Sequence, residues 1–481
     1  MKKTIYYFSI LLMVFTWSCK QEQPEKPNII FIFADDQSYE TIHALGNDEI
    51  ITPNLDKLSE EGLTFTHTYN MGSWQGAVCI ASRTMLNTGM FLWNARIELD
   101  GNKRLDHIEE RGELWAQLME EAGYETYVTG KWHVAASPQE TFMTSSNIRH
   151  GMPKQTAAGY NRPLEGEEDP WSPYDTSFGG FWKGGTHWTK ILGNTAVSYI
   201  DSASSKDSPF FMYLAFNAAH DPRQSPKEYV DKYPLENISL PENYLDEYPY
   251  KEEIGCGKKL RDERLAPFPR TPYAVKVNRQ EYYALITYMD EQIGRIIEAL
   301  KKSGKADNTY IFYAADHGLG IGHHGFMGKQ NMYDHSVRVP MMIWGKGIPA
   351  NKKIDIPVYL QDIMPSSLEL AGRDIPDFVQ FKSLMPLIKG ENTDQYKAIY
   401  GAYQNKQRMV TKGAYKLIMY PTVPVARLYN LKDDPNEMND LAGDPAYLPK
   451  MQELFSYFME LQEDTGDTLN LKTIYPQLIA N

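Results

Sequence analysis

Four short apolar runs along the chain each break off at polar residues. Asn28 to Ala34 ends in Asp35-Asp36, Tyr124 to Thr129 in Gly130-Lys131-Trp132-His133, Pro209 to Ala219 in His220-Asp221-Pro222, and Thr309 to Ala315 in Asp316-His317-Gly318. Each run is brief and rich in β-branched or aromatic residues, which predicts a buried strand. Amphipathic helical stretches lie between them, such as Leu114 to Glu121 and Tyr282 to Lys301. Strands alternating with helices predict an α/β fold, a large central and mostly parallel sheet flanked by helices. Such sheets bind ligands beyond the carboxyl ends of their strands, where all four polar endings fall. From Ile399 onward the pattern changes. Short strands separated by turn signals at Asn405-Lys406 and Lys412-Gly413, then a helix near Leu448 to Gln462, predict a smaller C-terminal antiparallel sheet plus helix.

The N-terminus reads as a targeting segment. Lys2 and Lys3 precede the apolar run Ile5 to Phe15, which is too short to span a membrane stably, and Ser18-Cys19 follows. This predicts a signal peptide over 1–19 of lipoprotein type, with Cys19 as the lipidated N-terminus and simple secretion as the alternative. Residues 20–26 read as a tether. A catalytic domain over 27–375 and a C-terminal subdomain over 376–481 complete the expected organisation. The expected location is outside the cytoplasm, periplasmic or at the cell surface, with membrane contact only through a lipid anchor.

Composition narrows the chemistry. The 481 residues are 42% hydrophobic and 23% charged, enough for a large core. The net charge of −13 argues against a nucleic-acid partner, but leaves room for an anionic substrate in a local cationic pocket. Beyond Cys19 only Cys79 and Cys256 remain, too few for a disulfide framework.

Cys79 is the most informative residue. A helix-like stretch, Arg83 to Asn87, follows it and Gly89 can end that helix, so the sulfur lies at a helix N-terminus near a guanidinium. Both features favour anions. Read alone, Cys79 is better taken as a buried structural thiol; the rest of the chain reverses that reading. Asp35, Asp36 and Asp316 have no obvious local cation, so clustering them at strand ends calls for a hard divalent ion, calcium or magnesium, to relieve their repulsion. Lys131, Arg83 and Lys329 supply positive charge for an anionic substrate, and His133, His220 and His317 offer proton transfer or ligation. Each histidine has a structural reading as well, and Asp35-Asp36 can serve as a turn.

Together these residues resemble the formylglycine-dependent sulfatases of the alkaline phosphatase superfamily, in particular bacterial polysaccharide sulfatases. Cys79-Ile-Ala-Ser-Arg83 is similar to the C-x-[PA]-S-R signature of that family, and Gly130-Lys131-Trp132-His133 to its second signature. Asp35-Asp36, Ala219-His220-Asp221-Pro222, Ala315-Asp316-His317-Gly318 and Gly328-Lys329-x-x-x-Tyr333 follow in family order, and Leu428 to Glu437 resembles a late motif. The resemblance implies that a maturation enzyme converts Cys79 to formylglycine. One hydroxyl of its hydrate would attack the sulfur of a sulfate ester and release an alcohol. The second would lose its proton, expelling sulfate and restoring the aldehyde. Asp35, Asp36, Asp316, His317 and residue 79 match metal-ligand positions, with calcium the expected ion and magnesium the alternative. Arg83, Lys131 and Lys329 match charge-stabilising positions. His133 matches the group that collapses the hemiacetal, and His220 with Lys329 those that protonate the leaving oxygen. Ala81 and His317 stand where proline and asparagine are commoner.

The implied activity is sulfate-ester hydrolysis on a sulfated poly- or oligosaccharide. A phosphate or phosphonate ester hydrolase on the same fold is one alternative, and an inactive carbohydrate-binding protein another. The loop-rich stretch Arg149 to Gly185 is expected to cover the pocket, where Trp171, Tyr174, Phe181, Trp182 and His187 could stack on sugars or merely pack. Tyr233 to Pro272 reads as a second insertion. Arg223, just past His220-Asp221-Pro222, is expected either to contact substrate or to form an ion pair.

Overall fold

The four apolar runs become adjacent strands in the middle of one sheet. A computed structural model describes residues 25–99, 104–391 and 395–479, so the leader, Cys19 and most of the tether lie outside the described residues. In chain order the first strands are β1 (Asn28–Ala34), β2 (Leu63–Tyr69), β3 (Gly72–Ser73), β4 (Glu125–Lys131), β5 (Thr144–Arg149), β6 (Trp182–Lys183), β7 (Thr186–His187) and β8 (Phe210–Ala215). Then come β9 (Thr309–Ala315), β10 (Arg338–Trp344), β11 (Lys352–Ile354), β12 (Val358–Tyr359), β13 (Ile399–Tyr403), β14 (Gln407–Lys412), β15 (Tyr415–Tyr420) and β16 (Val425–Asn430). The large sheet has the order β11-β2-β10-β9-β1-β8-β4-β5, with β12 also on β2.

The run β9-β1-β8-β4 is parallel throughout, and its registers bring Ala34 level with Ala315, and Phe33 and Gly130 level with Ala215. The polar residues after these strands therefore emerge at one edge. β1 is buried at every position, as its unbroken apolar sequence requires. Antiparallel β10 joins β9 to β2, which makes the sheet mixed. Trp115 of the helix Trp115–Glu121 packs against Phe31, Phe211 and Tyr213. The long helix Pro272–Lys302 packs against the helices Pro53–Glu61 and Trp188–Ser204.

The small sheet is the antiparallel run β16-β15-β14-β13, joined at its edge by β3. β3 pairs parallel with β13 through Ala402–Gly72 and Tyr403–Ser73. Gly72 has φ +93°, and a Cβ there would lie 2.0 Å from the Ala402 carbonyl oxygen, so only glycine permits this seam. The C-terminal helix is Leu448–Asp464, and it packs on β14 and β15. No helix among the described residues is long and apolar enough to cross a membrane.

Candidate active site

Cys79 lies in the first turn of the helix Val78–Thr88, which starts earlier than the sequence pattern suggested and ends at left-handed Gly89. The early start follows from packing. Cys79, Ala81 and Ser82 are all buried, and the Ser82 hydroxyl donates to the Asp316 carbonyl at 2.8 Å. The Cys79 sulfur faces the strand ends. It lies 3.2 Å from His317 Nε2, 3.7 Å from Lys329 Nζ and 3.9 Å from Asp36 Oδ1. Asp35, Asp36, Cys79, Asp316 and His317 each present one atom within 4.8 Å of the others. These are the five residues expected to hold a metal. Four buried oxygen- or nitrogen-bearing side chains beside residue 79, with Asp35 Oδ1 lacking any hydrogen-bond partner, fit a hard divalent ion.

The three carboxylates have no local cation, as their sequence neighbours indicated, but the fold brings distant ones onto them. Lys131 Nζ bonds Asp35 Oδ2 at 2.5 Å, Lys329 Nζ bonds both Asp36 oxygens at 2.8 Å, and Arg83 Nε bonds Asp316 Oδ2 at 3.0 Å. All three cations come from elsewhere in the chain, so local sequence could not show the pairing. Gly130 makes the approach of Lys131 feasible: with φ +92°, a Cβ there would fall 1.9 Å from the Ala215 carbonyl oxygen. Arg83 is wholly buried over the Phe33 ring, with Nη1 on the Lys131 carbonyl at 2.7 Å. Its Nη2 lies 3.6 Å from Asp35 Oδ1 without a hydrogen bond.

Electrostatics follow from this packing. Burial opposes ionisation of Cys79, but Lys131, Lys329 and His317 outweigh it and hold the thiol well below its ordinary value. Burial likewise opposes charge on His220, yet Asp36 and Asp221 raise it to about 10. His220 Nε2 is 3.7 Å from Asp36 and its Nδ1 is 3.1 Å from Asp221. Burial is overcome at His317 too, where Asp316 and Asp36 raise the ring to about 9. Burial lowers His133, which lies beside Cys79 with its Nδ1 unpartnered. Asp36 and His133 both adopt left-handed backbone, at φ 58° and 52°, a conformation non-glycine residues hold at functional sites.

Several contributors escaped the sequence reading. Tyr282 of the long helix donates to the Asp36 carbonyl at 2.6 Å and accepts from the Ser38 N–H at 3.0 Å. Asn70 donates to the Asp316 carbonyl. From the second insertion, Arg261 pairs with Asp221, and Asp262 lies 3.7 Å from Lys329 Nζ. The charged run Arg261-Asp262-Glu263 amid Pro and Tyr was the only signal for these. Of the aromatics proposed to cover the pocket, Trp171 stacks on Phe178, and Phe181 and His187 are buried. His187 caps a helix by accepting from the Thr189 N–H, while Tyr174 remains 42% exposed. Arg223 is buried, gives one bond to Asn278, and leaves Nε and Nη1 unpartnered. Cys256 is a free buried thiol that donates to the Gln330 carbonyl at 2.9 Å.

Comparison with known proteins identifies the family and the fold. The family profile described as Sulfatase matches residues 27–373, and one described as N-sulphoglucosamine sulphohydrolase, C-terminal, matches 322–464. An N-acetylglucosamine-6-O-sulfatase of Bacteroides thetaiotaomicron is 24% identical, over 93% of this chain and 88% of the relative. A solved structure in complex with its substrate D-glucosamine-2-N,6-O-disulfate superposes with TM-score 0.73 at 24% identity, covering 92% of this chain and 99% of the other. The phosphonate monoester hydrolase of Silicibacter pomeroyi also superposes with TM-score 0.73, at 19% identity, covering 93% and 97%.

Proposed function

This chain belongs to the sulfatase family, and we propose that it hydrolyses sulfate esters on a sulfated poly- or oligosaccharide through formylglycine made from Cys79. The observation that carries the reading is the convergence of Asp35, Asp36, Cys79, Asp316 and His317 on one point, with Lys131 and Lys329 against it. Asp35, Asp36, Asp316, His317 and residue 79 would hold a divalent ion, calcium before magnesium, whose charge draws in sulfate oxygens and acidifies the nucleophile.

The chain's own groups do the rest. The helix Val78–Thr88 fixes residue 79 at the strand ends. Lys131 and Lys329 place positive charge where the transferring group becomes more anionic. Arg83 acts one layer deeper, holding Asp316 and the Lys131 carbonyl. His220, kept protonated beside Asp36 and Asp221, is poised to give its proton to the leaving alcohol oxygen. His133, held neutral, can take the proton from the second hydroxyl as sulfate departs. Arg223 carries two buried donors suited to a carboxylate or sulfate on the sugar. Residues 1–19 would direct export, with Cys19 as lipid anchor. The relative named N-acetylglucosamine-6-O-sulfatase supports a carbohydrate substrate.

The test is a panel of sulfated mono- and oligosaccharides assayed beside aryl sulfate, aryl phosphate and aryl phosphonate esters, using protein co-expressed with a maturation enzyme. Mass spectrometry should find formylglycine at position 79, and desulfation should exceed phosphate and phosphonate release. Exhaustive chelation should abolish turnover and lower the Tm, with calcium restoring both, because an ion bound only by the native state stabilises it. Faster phosphonate than sulfate release would overturn the reading in favour of the phosphonate hydrolase.

A further inference from the structure

Outside the centre just described, a cleft of about 780 Å³ lies between the small sheet, the helix Leu92–Ile97 and the loop Gly466–Asn470. Trp74 lines it, five residues before Cys79 in the chain. The turn between β13 and β14 also lines it through Gln404 and Asn405, and the helix contributes Trp93 and Arg96.

The cleft shares a wall with the catalytic centre. The Gln404 N–H donates to the Ser73 carbonyl at 2.7 Å, and the Gln404 side chain donates to the Tyr403 hydroxyl at 3.4 Å. Tyr403 in turn lies against Gly76. On the other side of that wall, Gln330, next to Lys329, donates to the Gly76 carbonyl at 3.0 Å. The cleft therefore adjoins, across Trp74 and Gly76, the segment that carries Cys79 and the turn that carries Lys329.

The lining suits an anionic sugar. Trp74 is half-buried and lines the cleft. Trp93 is fixed by donating its indole N–H to the Tyr400 hydroxyl at 2.8 Å. The Arg96 guanidinium lies 5.7 Å from the Trp93 ring centre and is exposed. Among the described residues it has no carboxylate partner, unlike Arg408 in the same cleft, which is held two-pronged by Asp467 at 2.7 and 2.9 Å. Aromatic faces, amides and one unneutralised guanidinium are the groups that hold a pyranose ring, its hydroxyls and a sulfate or carboxylate. In a chain of net charge −13, such a cation offsets the general repulsion of a polyanion.

We propose that this cleft is a second saccharide subsite. It would hold a neighbouring unit of the same sulfated chain, with a ring on Trp74 and an anionic substituent at Arg96. The proposal rests on the reading of the protein as a carbohydrate sulfatase.

The test compares kcat/KM on a sulfated hexasaccharide with that on the corresponding sulfated monosaccharide, for wild type, Trp74→Ala, Trp74→Phe, Arg96→Ala and Arg96→Lys. Thermal unfolding of each checks folding. Wild type should favour the longer substrate. Trp74→Ala and Arg96→Ala should each lower the hexasaccharide-to-monosaccharide ratio about tenfold, the size of one good contact. The fall should come mainly through KM, and that of Arg96→Ala should shrink at high salt. Trp74→Phe should keep most of the ratio. A wild type that desulfates both lengths equally, or a ratio untouched by these variants, would overturn the subsite alone. A wild type that turns over aryl sulfate but no sulfated saccharide would overturn the carbohydrate reading, and the subsite with it.

Discussion

Two buried ionic clusters divide the labour of this molecule. At the seam between the sheets, Lys416 donates to the Met332 carbonyl at 3.3 Å, to Asp334, and to Glu437 at 2.7 Å. The second Glu437 oxygen accepts the Asp334 N–H at 2.7 Å. Every ammonium proton has an acceptor, and Arg338, 3.7 Å from Asp334, supplies a cation for the second carboxylate, so the cluster closes on itself. The cluster at the strand ends does not close. Asp35 Oδ1, Arg83 Nη2 and His133 Nδ1 are buried without hydrogen-bond partners, although salt bridges surround them. Leaving buried polar atoms unpaired costs stability. The seam minimises that cost to hold the fold, whereas the active site retains unused bonding capacity for a ligand.

The contrast makes opposite predictions for the two clusters. The largest effect belongs to Cys79→Ala, which should lower turnover by about four orders of magnitude or more, as for loss of a covalent nucleophile, with little change in Tm. A variant retaining a tenth of wild-type turnover would remove Cys79 from the chemistry. Lys416→Met should do the reverse. It strands two buried carboxylates and should lower unfolding stability by about 3–5 kcal/mol, measured by denaturant titration, with kcat of the folded fraction near normal. Unchanged stability would mean that the seam is not an anchor.

Arg223 lies nearer the catalytic pattern, with two donors unspent. Arg223→Ala should lower kcat/KM on a sulfated oligosaccharide by about ten- to a hundredfold, for a contact worth roughly 1.5–3 kcal/mol, and Arg223→Lys should not rescue it. Equal losses on an aryl sulfate would assign Arg223 to the fold.

The smallest effect concerns Asp362, which is satisfied by neutral donors: the Tyr396 hydroxyl at 2.5 Å and the N–H groups of Lys382 and Tyr359 at 3.0 and 3.1 Å. Burial pushes its carboxyl up to about 7, against the pull of these donors. The folded state therefore binds the proton more tightly than the unfolded chain, and stability should fall as pH rises from about 4 to about 7. Asp362→Asn should flatten that slope in urea titrations across the window. An identical slope would place the titration elsewhere.

Much of this was legible in the chain. β1 and β9 have the bounds of the apolar runs that predicted them, because strands buried on both faces cannot tolerate polar residues until they leave the sheet. The carboxylates, lysines and histidines of the site follow such strands or lie in motifs of their own, so their identities were readable one segment at a time. The aromatics of the stretch from Trp171 to His187 were less so. Phe181 and His187 pack inward, although their sequence suits sugar stacking equally well.

The sequence by itself determined the periodicity of the strands, the choice of parallel architecture, and the residue types at each strand end, since these depend on neighbours within a few positions. Only the tertiary structure decided which charges meet. Lys131 reaches Asp35 and Lys329 reaches Asp36 across 96 and 293 positions, Arg83 turns beneath the site, and Trp74 comes to border a cleft with residues some 330 positions away. Such pairings are set by register and crossover, and a charge buried at a distance carries no local periodic signature.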